Sequence, residues 1–526
     1  GGGQSNIASG SCATISGGGS NTTDGNCSTI GGGCGNAASE CSSTIAGGCG
    51  NTASACYAII AGGKSNTASG CYATIGGGCV NEATECFSTV AGGKMNDACG
   101  KCSTVSGGYR NCAHGCGGTA GGFRSNATGS WSLAIGYASH ACGQYSVAFG
   151  RSSVANSNYN VVLGGLGNTT SGTYSTVTAG KNNSVAGGHS FIGGGNANAS
   201  TAVYATIVGG LANKSCNSYT FMGGGNANHA SGSYSVVVGG CCNKASGACS
   251  TIGGGCGNTA TGYGTTIAGG KNNTSSGDYS LIAGVNNTNT DGHYSTVSGY
   301  GNTVSGRYAL VAGCNNTVSN YYSSIPGGKS NTISSCCSTI GGGNGNVVNS
   351  AAHKSTIGGG NANCINGEFS HIGGGTTNCV VTGYGTLSGG YKNCISAGSF
   401  AAIGGGNQNT VSANYSAIFA GHCNIITGIR SAILGGRRNC LNGHSDSFII
   451  GSNLTSSAAC TTFVNNLNVS GSLTVDGSTI GASLYEAGSG AGSIQPIANS
   501  NNASGTCSTI GGGRDNVASG NDSTIG

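Results

Sequence analysis

Cysteine is the residue type that offers the most chemistry in this chain, with 29 copies among 526 residues. Nine of them recur at one fixed interval and form three columns, which are Cys41, Cys56, Cys71 and Cys86, then Cys34 and Cys49, then Cys364, Cys379 and Cys394. If each interval is one coil of a stacked fold, column neighbours lie about 4.8 Å apart, within the Cα separation that a disulfide accepts. The columns therefore predict disulfides and an oxidising, extracellular setting.

The cysteines outside these columns allow a second interpretation. Cys12, Cys27 and Cys102 occupy positions where other repeats carry Tyr72 or Phe87, so cysteine can serve there as a small hydrophobic residue. The odd total leaves at least one thiol free or bridged to another chain. Both interpretations stay open from the sequence.

Carboxylates and histidines give weaker signals. Glycan-cleaving enzymes hold two carboxylates within several ångströms of each other, but the 13 acidic residues are scattered, and the nearest useful pair is Glu82 and Glu85. The nine histidines show no pairing with cysteines at the spacing typical of zinc sites. No glycine-rich stretch is followed by a helical pattern or a Gly-Lys-Ser/Thr ending. The sequence therefore predicts no enzyme, no metal site and no cofactor.

Asparagine sequons are frequent and predict glycans if the chain passes through a eukaryotic secretory route. The candidate positions are Asn21, Asn126, Asn168, Asn198 and Asn213. In a sequence rich in asparagine, serine and threonine, many such triplets also arise by chance.

The element that must position these residues is a short repeat, fifteen positions long in most of the chain. A β-branched residue returns in fixed phase at Ile15, Ile30, Ile45, Ile60, Ile75, Val90 and Val105. An asparagine follows six residues after each of them, at Asn21, Asn36, Asn51, Asn66, Asn81, Asn96 and Asn111. A period this short holds neither a helix pair nor a propeller blade, so each unit must be one coil of a β-solenoid. Roughly thirty coils at about 4.8 Å predict an all-β, elongated β-solenoid (β-roll) about 150 Å long.

Each residue of the repeat has an expected place in the coil. Alternation along a strand puts threonine outward and isoleucine inward. Glycine pairs such as Gly47-Gly48 and Gly62-Gly63 are expected at corners that need positive φ or close backbone approach. Asparagine tolerates the left-handed region, and its amide can bond the asparagine of the next coil, as in stacked strands. The asparagine column is therefore predicted to be a structural ladder.

The period also predicts the domain organisation. The rod is expected over 1–451, a neck or connector over 452–505, and a resumed repeat with Cys507 and Asn516 over 506–526. Alternating apolar residues around Ser470-Gly471 indicate a β-hairpin or a strand-swapped neck. Within the rod the period shortens by one residue over the range 131–163 and lengthens by two between Ile340 and Ile357. Both ends lie inside the repeat, which indicates a segment of a longer or processed protein.

Two of the shortened coils, SLAIG at 132–136 and SVAFG at 146–150, resemble the head repeat of trimeric autotransporter adhesins. The resemblance implies three chains, each winding a left-handed β-roll, that pack side by side into an adhesive head on a bacterial surface. The other coils resemble a looser repeat of bacterial surface proteins and viral fibres, and FVNNLNVSGSLTVDGS at 463–478 is similar to the neck of trimeric viral or phage fibres.

Most coils depart from the adhesin pattern by one residue. The apolar pair Val147 and Phe149 aligns with Thr176 and Thr178, and the apolar residue there is Val177. A shift of one residue exchanges the two faces of a strand. The trimer packing of the family is therefore not implied for most of the chain, and a single-chain solenoid core is an alternative.

These observations predict a structural fibre or filament protein of a cell or virion surface with an adhesive role. The expected partners are further copies of the chain, as a homotrimer or head-to-tail filament, and a host-surface glycan or protein. The net charge of +5 is not clustered, so nucleic acid is not expected, and no apolar stretch is long enough for a membrane span. Two alternatives are a glycan-degrading tailspike-like enzyme, the less favoured, and an ice-binding solenoid. The second rests on the threonine column Thr14, Thr29, Thr44, Thr74, Thr89 and Thr104.

Overall fold

The computed structural model is an all-β parallel solenoid of about 31 turns, without a helix among the residues it describes. This confirms the fold class predicted from the repeat. The structure describes residues 2–466 and the short ranges 473–475, 478–480, 485–487, 494–496, 502–503, 509–510, 517–519, 521–522 and 524–525.

Each turn contributes one short strand to each of two parallel sheets. The first, here named the isoleucine sheet, contains the predicted isoleucine and valine column. Its strands are Thr14–Ile15, Thr29–Ile30, Thr44–Ile45, Ile59–Ile60, Thr74–Ile75, Thr89–Val90, Thr104–Tyr109, Thr119–Phe123, Leu133–Tyr137, Val147–Arg151, Val161–Val162, Thr176–Val177, Phe191–Ile192, Thr206–Ile207, Phe221–Met222, Val236–Val237, Thr251–Ile252, Thr266–Ile267, Leu281–Ile282, Thr296–Val297, Leu310–Val311, Ser324–Ile325, Thr339–Ile340, Thr356–Ile357, His371–Ile372, Thr386–Leu387, Ala402–Ile403, Ala417–Ile418, Ala432–Ile433, Phe448–Ile450 and Thr462–Val464.

The other sheet, here named the second sheet, was not predicted from the sequence. Its strands are Ile7–Ala8, Thr22–Thr23, Ala37–Ala38, Thr52–Ala53, Thr67–Ala68, Glu82–Ala83, Asp97–Ala98, Cys112–Ala113, Asn126–Ala127, His140–Ala141, Val154–Ala155, Thr169–Thr170, Ser184–Val185, Ala199–Ser200, Lys214–Ser215, His229–Ala230, Lys244–Ala245, Thr259–Ala260, Thr274–Ser275, Thr288–Asn289, Thr303–Val304, Thr317–Val318, Thr332–Ile333, Val347–Val348, Cys364–Ile365, Cys379–Val380, Cys394–Ile395, Thr410–Val411, Ile425–Ile426 and Cys440–Leu441.

The core lies between the two sheets and consists of their inward residues. Ile45 of the isoleucine sheet and Ala53 of the second sheet are both fully buried, whereas Thr44 and Thr52 point outward and are half-buried. The second sheet contributes alanine in most coils up to Ala155 and larger residues such as Ile333 in the C-terminal coils. Because every buried methylene adds about 0.8 kcal/mol, the C-terminal part of the rod has the stronger apolar core.

The corners of a coil are made by residues with positive φ. Tyr57, Gly48 and Gly50 have φ values of 60°, 98° and 65°. A Cβ on Gly48 would collide with the carbonyl oxygen of Gly63 in the next coil, so glycine is required there both by conformation and by space. The asparagine of the ladder is not itself left-handed, contrary to the expectation. The residue before it takes that conformation.

The number of residues between paired positions on successive strands gives the length of each coil. The shortened coils predicted over 131–163 connect Leu133, Val147 and Val161, and the shortening begins one coil earlier than predicted, at Thr119. The predicted lengthened coil begins at Thr339. Further irregular coils were not predicted from the sequence. Three that begin at Thr296, Leu310 and Phe448 are also one residue short, and two that begin at Thr386 and Ala432 are one residue long. All of these strands stay in register, because the corners absorb the difference in length.

Much of the predicted connector and resumed repeat lies outside the described residues, including Ser470, Gly471, Cys507 and Asn516. The described pieces are short paired strands. Leu473–Val475 pairs antiparallel with Ser478–Ile480, Tyr485–Ala487 antiparallel with Ile494–Pro496, Asn502–Ala503 parallel with Val517–Ala518, and Thr509–Ile510 parallel with Thr524–Ile525.

Candidate functional site

The asparagine ladder lies inside the rod, where it connects successive coils. Asn51 accepts a hydrogen bond at Oδ1 from the backbone N–H of Asn66 (3.0 Å), and its Nδ2 donates to the carbonyl oxygens of Gly47 and Gly63, each at 3.0 Å. All seven predicted asparagines are at most 1% exposed. With its polar atoms engaged in this way, the row joins and orders the coils and offers no group for catalysis.

The predicted glycosylation positions fall into two groups. Asn21, Asn168, Asn198 and Asn213 belong to the buried ladder, and in each the Nδ2 atom that would carry a glycan donates to backbone carbonyls. A glycan on any of them would require the coil to open. Asn126 instead points outward from the second sheet.

The predicted disulfide columns are adjacent in register, but their thiols are free. Cys364, Cys379 and Cys394 follow one another on the second sheet, and Cys34 lies beside Cys49 at a corner. No described cysteine is in a disulfide, so the structure does not support that prediction. Parallel strands in register aim their side chains in the same direction, whereas a disulfide needs Cβ atoms about 3.8 Å apart with converging bonds.

Hydrogen bonding within one cysteine column changes its acidity. A side-chain hydrogen bond with Cys379 lowers the pKa of Cys364 to about 7, and also lowers that of Cys394 to about 7, although partial burial opposes both effects. The same bonds raise the pKa of Cys379. Since Cys379 carries a single S–H, it can stabilise one neighbouring thiolate at a time.

A cluster of four potential metal ligands lies on the outer face of the second sheet. Asp97 pairs in register with Cys112, and the residues two positions later, Cys99 and His114, are also neighbours. One ligand atom from each of the four lies within 4.8 Å of all the others. This group was not predicted from the sequence, because its two patterns, Asp-x-Cys and Cys-x-His, are one coil apart and do not have zinc-site spacing along the chain.

The two thiols of this cluster are held in the protonated form. Partial burial, followed by the charge of Asp97, raises the pKa of Cys99 to about 11 and raises the pKa of Cys112 even further. The thiol of Cys112 donates to Oδ2 of Asp97 at 3.8 Å. The raised pKa values of the two thiols and this hydrogen bond show that the carboxylate of Asp97 and the two thiols lie in one local environment.

Exposed aromatic rings form ladders along one corner. The longest contains Tyr145, Tyr159, Tyr174, His189, Tyr204, Tyr219 and Tyr234, with ring centroids 4.6 to 5.2 Å apart and planes nearly parallel. Inside a ladder each ring covers the faces of its neighbours. What the ladder presents to solvent is therefore ring edges and tyrosine hydroxyls.

The shortened coils carry apolar side chains on the outer face of the isoleucine sheet. This group, here named the apolar patch, consists of Leu133, Ile135, Val147, Phe149, Val161 and Leu163. Ile135 is 39% and Leu163 49% exposed. In these coils Ala134 and Ala148 occupy the buried position, so the exchange of faces predicted from the one-residue shift is present in the structure.

Threonines form outward rows on both sheets. The predicted column from Thr14 to Thr104 lies on the outer face of the isoleucine sheet and is interrupted by Ile59. The second sheet presents a longer group, here named the hydroxyl face, over six successive strands. Its members are Thr259, Thr274, Thr288, Thr303, Thr317 and Thr332, followed two residues later by Thr261, Ser276, Thr290, Ser305, Ser319 and Ser334.

These features define the chain as a β-solenoid repeat protein. Its interior is joined by the asparagine ladder, and its cysteines, potential metal ligands, aromatic rings and hydroxyl rows lie on the outer surface. No protein-family model and no curated protein matches the sequence, so the resemblance to adhesin heads and viral fibres has no support from a family match. Among the residues that the structure describes, no helix is long and apolar enough to cross a membrane.

Proposed function

We propose that this chain is the rod of an extracellular structural fibre, on a cell or virion surface, that assembles with further copies of itself and has an adhesive role. The observation that supports this best is the apolar patch. Soluble monomers rarely leave contiguous apolar groups of this kind in water, and such patches mark interaction sites.

The position of the apolar patch favours a second copy of the chain as its partner. It lies on a sheet face in which successive parallel strands pair in register, so an identical face can align with it coil by coil. A homotrimer or a filament would bury Ile135 and Leu163, which are exposed in the single chain. Complete burial of a fully exposed side chain of this kind contributes about 1.5–3 kcal/mol, and Ile135 and Leu163, which are already partly covered, would each contribute a part of that.

The exposed cysteines would supply covalent links between copies if the fibre is extracellular, as proposed. Cys12, Cys27 and Cys49 are exposed free thiols, and exposed thiols become oxidised outside the cell. A disulfide between two copies of the chain is not subject to the parallel side-chain geometry that disfavours a disulfide within one cysteine column. The aromatic ladders support the adhesive part, because tyrosine edges and hydroxyls can contact a glycan or a protein.

The assembly is tested by light scattering and electron microscopy of the full chain, with and without reductant. We expect a trimer or filament for the wild type and a shift toward monomer for the double variant Ile135→Ser/Phe149→Ser. Leu281→Ser is the matched control, since Leu281 is 43% exposed on the same sheet but lies between two threonines. A wild-type chain that stays monomeric at micromolar concentration overturns the proposal.

A second candidate function is ice binding, and the hydroxyl face is the observation that favours it. Its two rows of hydroxyls repeat about every 4.8 Å along the rod and are separated by about 6.6 Å across it. Such a regular lattice of hydroxyls and methyls can order water. Thermal hysteresis of the purified chain is the test, with Thr303→Lys, in the middle of the face, expected to abolish it. An absence of hysteresis in the wild type removes this candidate.

A further inference from the structure

We propose that Asp97, Cys99, Cys112 and His114 form a zinc-binding site on the outer face of the second sheet. The donor set is two sulfurs, one imidazole nitrogen and one carboxylate oxygen. Zinc binds these atoms, and four ligands complete the tetrahedral coordination of a structural site. Thiolate donors disfavour magnesium and calcium, which select oxygen ligands.

The fold places the donors without strain. Alternation in a strand puts residues two apart on one face, so Asp97 with Cys99 and Cys112 with His114 both face outward. Pairing of the two strands then makes a square of four side chains. In a tetrahedral zinc site with Zn–S bonds of about 2.3 Å, sulfurs lie about 3.8 Å apart. The present separations of up to 4.8 Å need only small rotamer changes to reach it.

One observation indicates that this square is prepared for a cation. Oδ1 of Asp97 is buried and has no hydrogen-bond partner in the part of the chain that the structure describes, and a buried unsatisfied oxygen is costly. A bound zinc ion would satisfy this free oxygen. On binding, the two thiols release their protons to solvent, so the two thiolates balance the charge of the zinc ion and the net charge of the cluster is unchanged.

The site is distinct from the other contacts between cysteine and histidine. Cys336 lies 3.1 Å from Nδ1 of His353, but that pair offers two donors, too few for a tetrahedral protein site. The pair therefore provides a matched control. It contains the same two residue types, it lies across neighbouring coils of the same rod, and it should not hold the ion.

The experiment is a cobalt titration of the full chain, kept reduced and first freed of metal by a chelator. Co²⁺ is the probe, because its visible spectrum reports tetrahedral coordination and thiolate ligands. We expect a tetrahedral thiolate spectrum in the wild type that zinc bleaches by competition. Cys112→Ser and His114→Ala should each bind one equivalent fewer than the wild type, while Cys336→Ser should bind the same number. Circular dichroism checks that all three variants keep their strands.

A second readout is independent of the spectrum. Zinc bound at the site should protect Cys99 and Cys112 from alkylation, as measured by peptide mass spectrometry, and leave Cys336 unprotected. The proposal is overturned if the wild type binds no cobalt, if Cys112→Ser and His114→Ala bind as many equivalents as the wild type, or if zinc leaves Cys99 and Cys112 as reactive as before.

Discussion

Substitution of one ladder asparagine is the sharpest test of how this rod is stabilised. The change Asn51→Ala removes four hydrogen bonds. Two run from Nδ2 to the carbonyl oxygens of Gly47 and Gly63, and two reach Oδ1 from the backbone N–H and the Nδ2 of Asn66, at 3.0 to 3.1 Å. The alanine fits the space but replaces none of these bonds.

The four bonds do not contribute equally. The carbonyl oxygen of Gly63 keeps the backbone N–H of Cys49 as a donor (2.9 Å), and Nδ2 of Asn66 keeps the carbonyl oxygens of Gly62 and Gly78. The buried backbone N–H of Asn66 loses its acceptor. An unsatisfied buried donor costs about 1–3 kcal/mol and each lost bond about 0.5–1.5 kcal/mol, so we expect a local destabilisation of about 3 kcal/mol.

Hydrogen exchange measures this directly. A loss of about 3 kcal/mol corresponds to roughly a hundredfold faster exchange at the amide of Asn66 and in the adjoining coils. Contacts in a solenoid join nearest neighbours, so coils as far away as Asn111 should keep their protection. The matched control is Thr52→Ala, the next residue along, whose side chain points outward from the second sheet. Equal protection in Asn51→Ala and the wild type, or an equal loss in the control, would exclude the asparagine ladder as the source of this stability.

Three further predictions concern the corners, the core and the thiols. Gly48→Ala should prevent its coil from closing and lower the yield of soluble protein, because φ is 98° and a Cβ would meet backbone, whereas Gly47→Ala, with open space at its Cβ, should behave as the wild type. Ile333→Ala should lower the free energy of unfolding by about 2–5 kcal/mol in denaturant titration, because the side chain is fully buried; a loss below about 1 kcal/mol would contradict the two-sheet core. The lowered pKa of Cys364, about 7, means more thiolate at neutral pH, so its alkylation rate should rise with a midpoint near pH 7. Cys379→Ala should move that midpoint upward, and an unchanged midpoint would exclude the hydrogen bond as its cause.

The isoleucine sheet could be predicted from the sequence because its signal is strong. Large β-branched residues such as Ile45 and Ile60 recur in one phase, and alternation alone decides which side of the strand is buried. The second sheet has no such signal. Thr52 and Ala53 follow an asparagine and precede a turn, and alanine has a low strand propensity. That strand forms because the ladder of Asn51 holds the backbone in register beside the next coil.

The ligand cluster could not be predicted by spacing rules that follow the chain. In an ordinary zinc motif the ligand pairs are close in sequence, whereas Asp97 and Cys112 are a whole coil apart. Only the register of the second sheet makes them neighbours, and that sheet was not predicted from the sequence. The same applies to the hydroxyl face, since its rows become visible only when the outward positions of the second sheet are known.

The register also decides which changes the outer rows can tolerate. Shortened, regular and lengthened coils all pair in phase, so additions and deletions are absorbed at the corners and leave the strands aligned. An insertion within Cys112–Ala113 would instead move the following residue to the other face of the sheet and take His114 away from Cys99. The cluster is therefore insensitive to the length of the corners and sensitive to the two residues of each strand. A rod built in this way can gain a site on its surface by substitution alone, because its backbone already supplies the geometry.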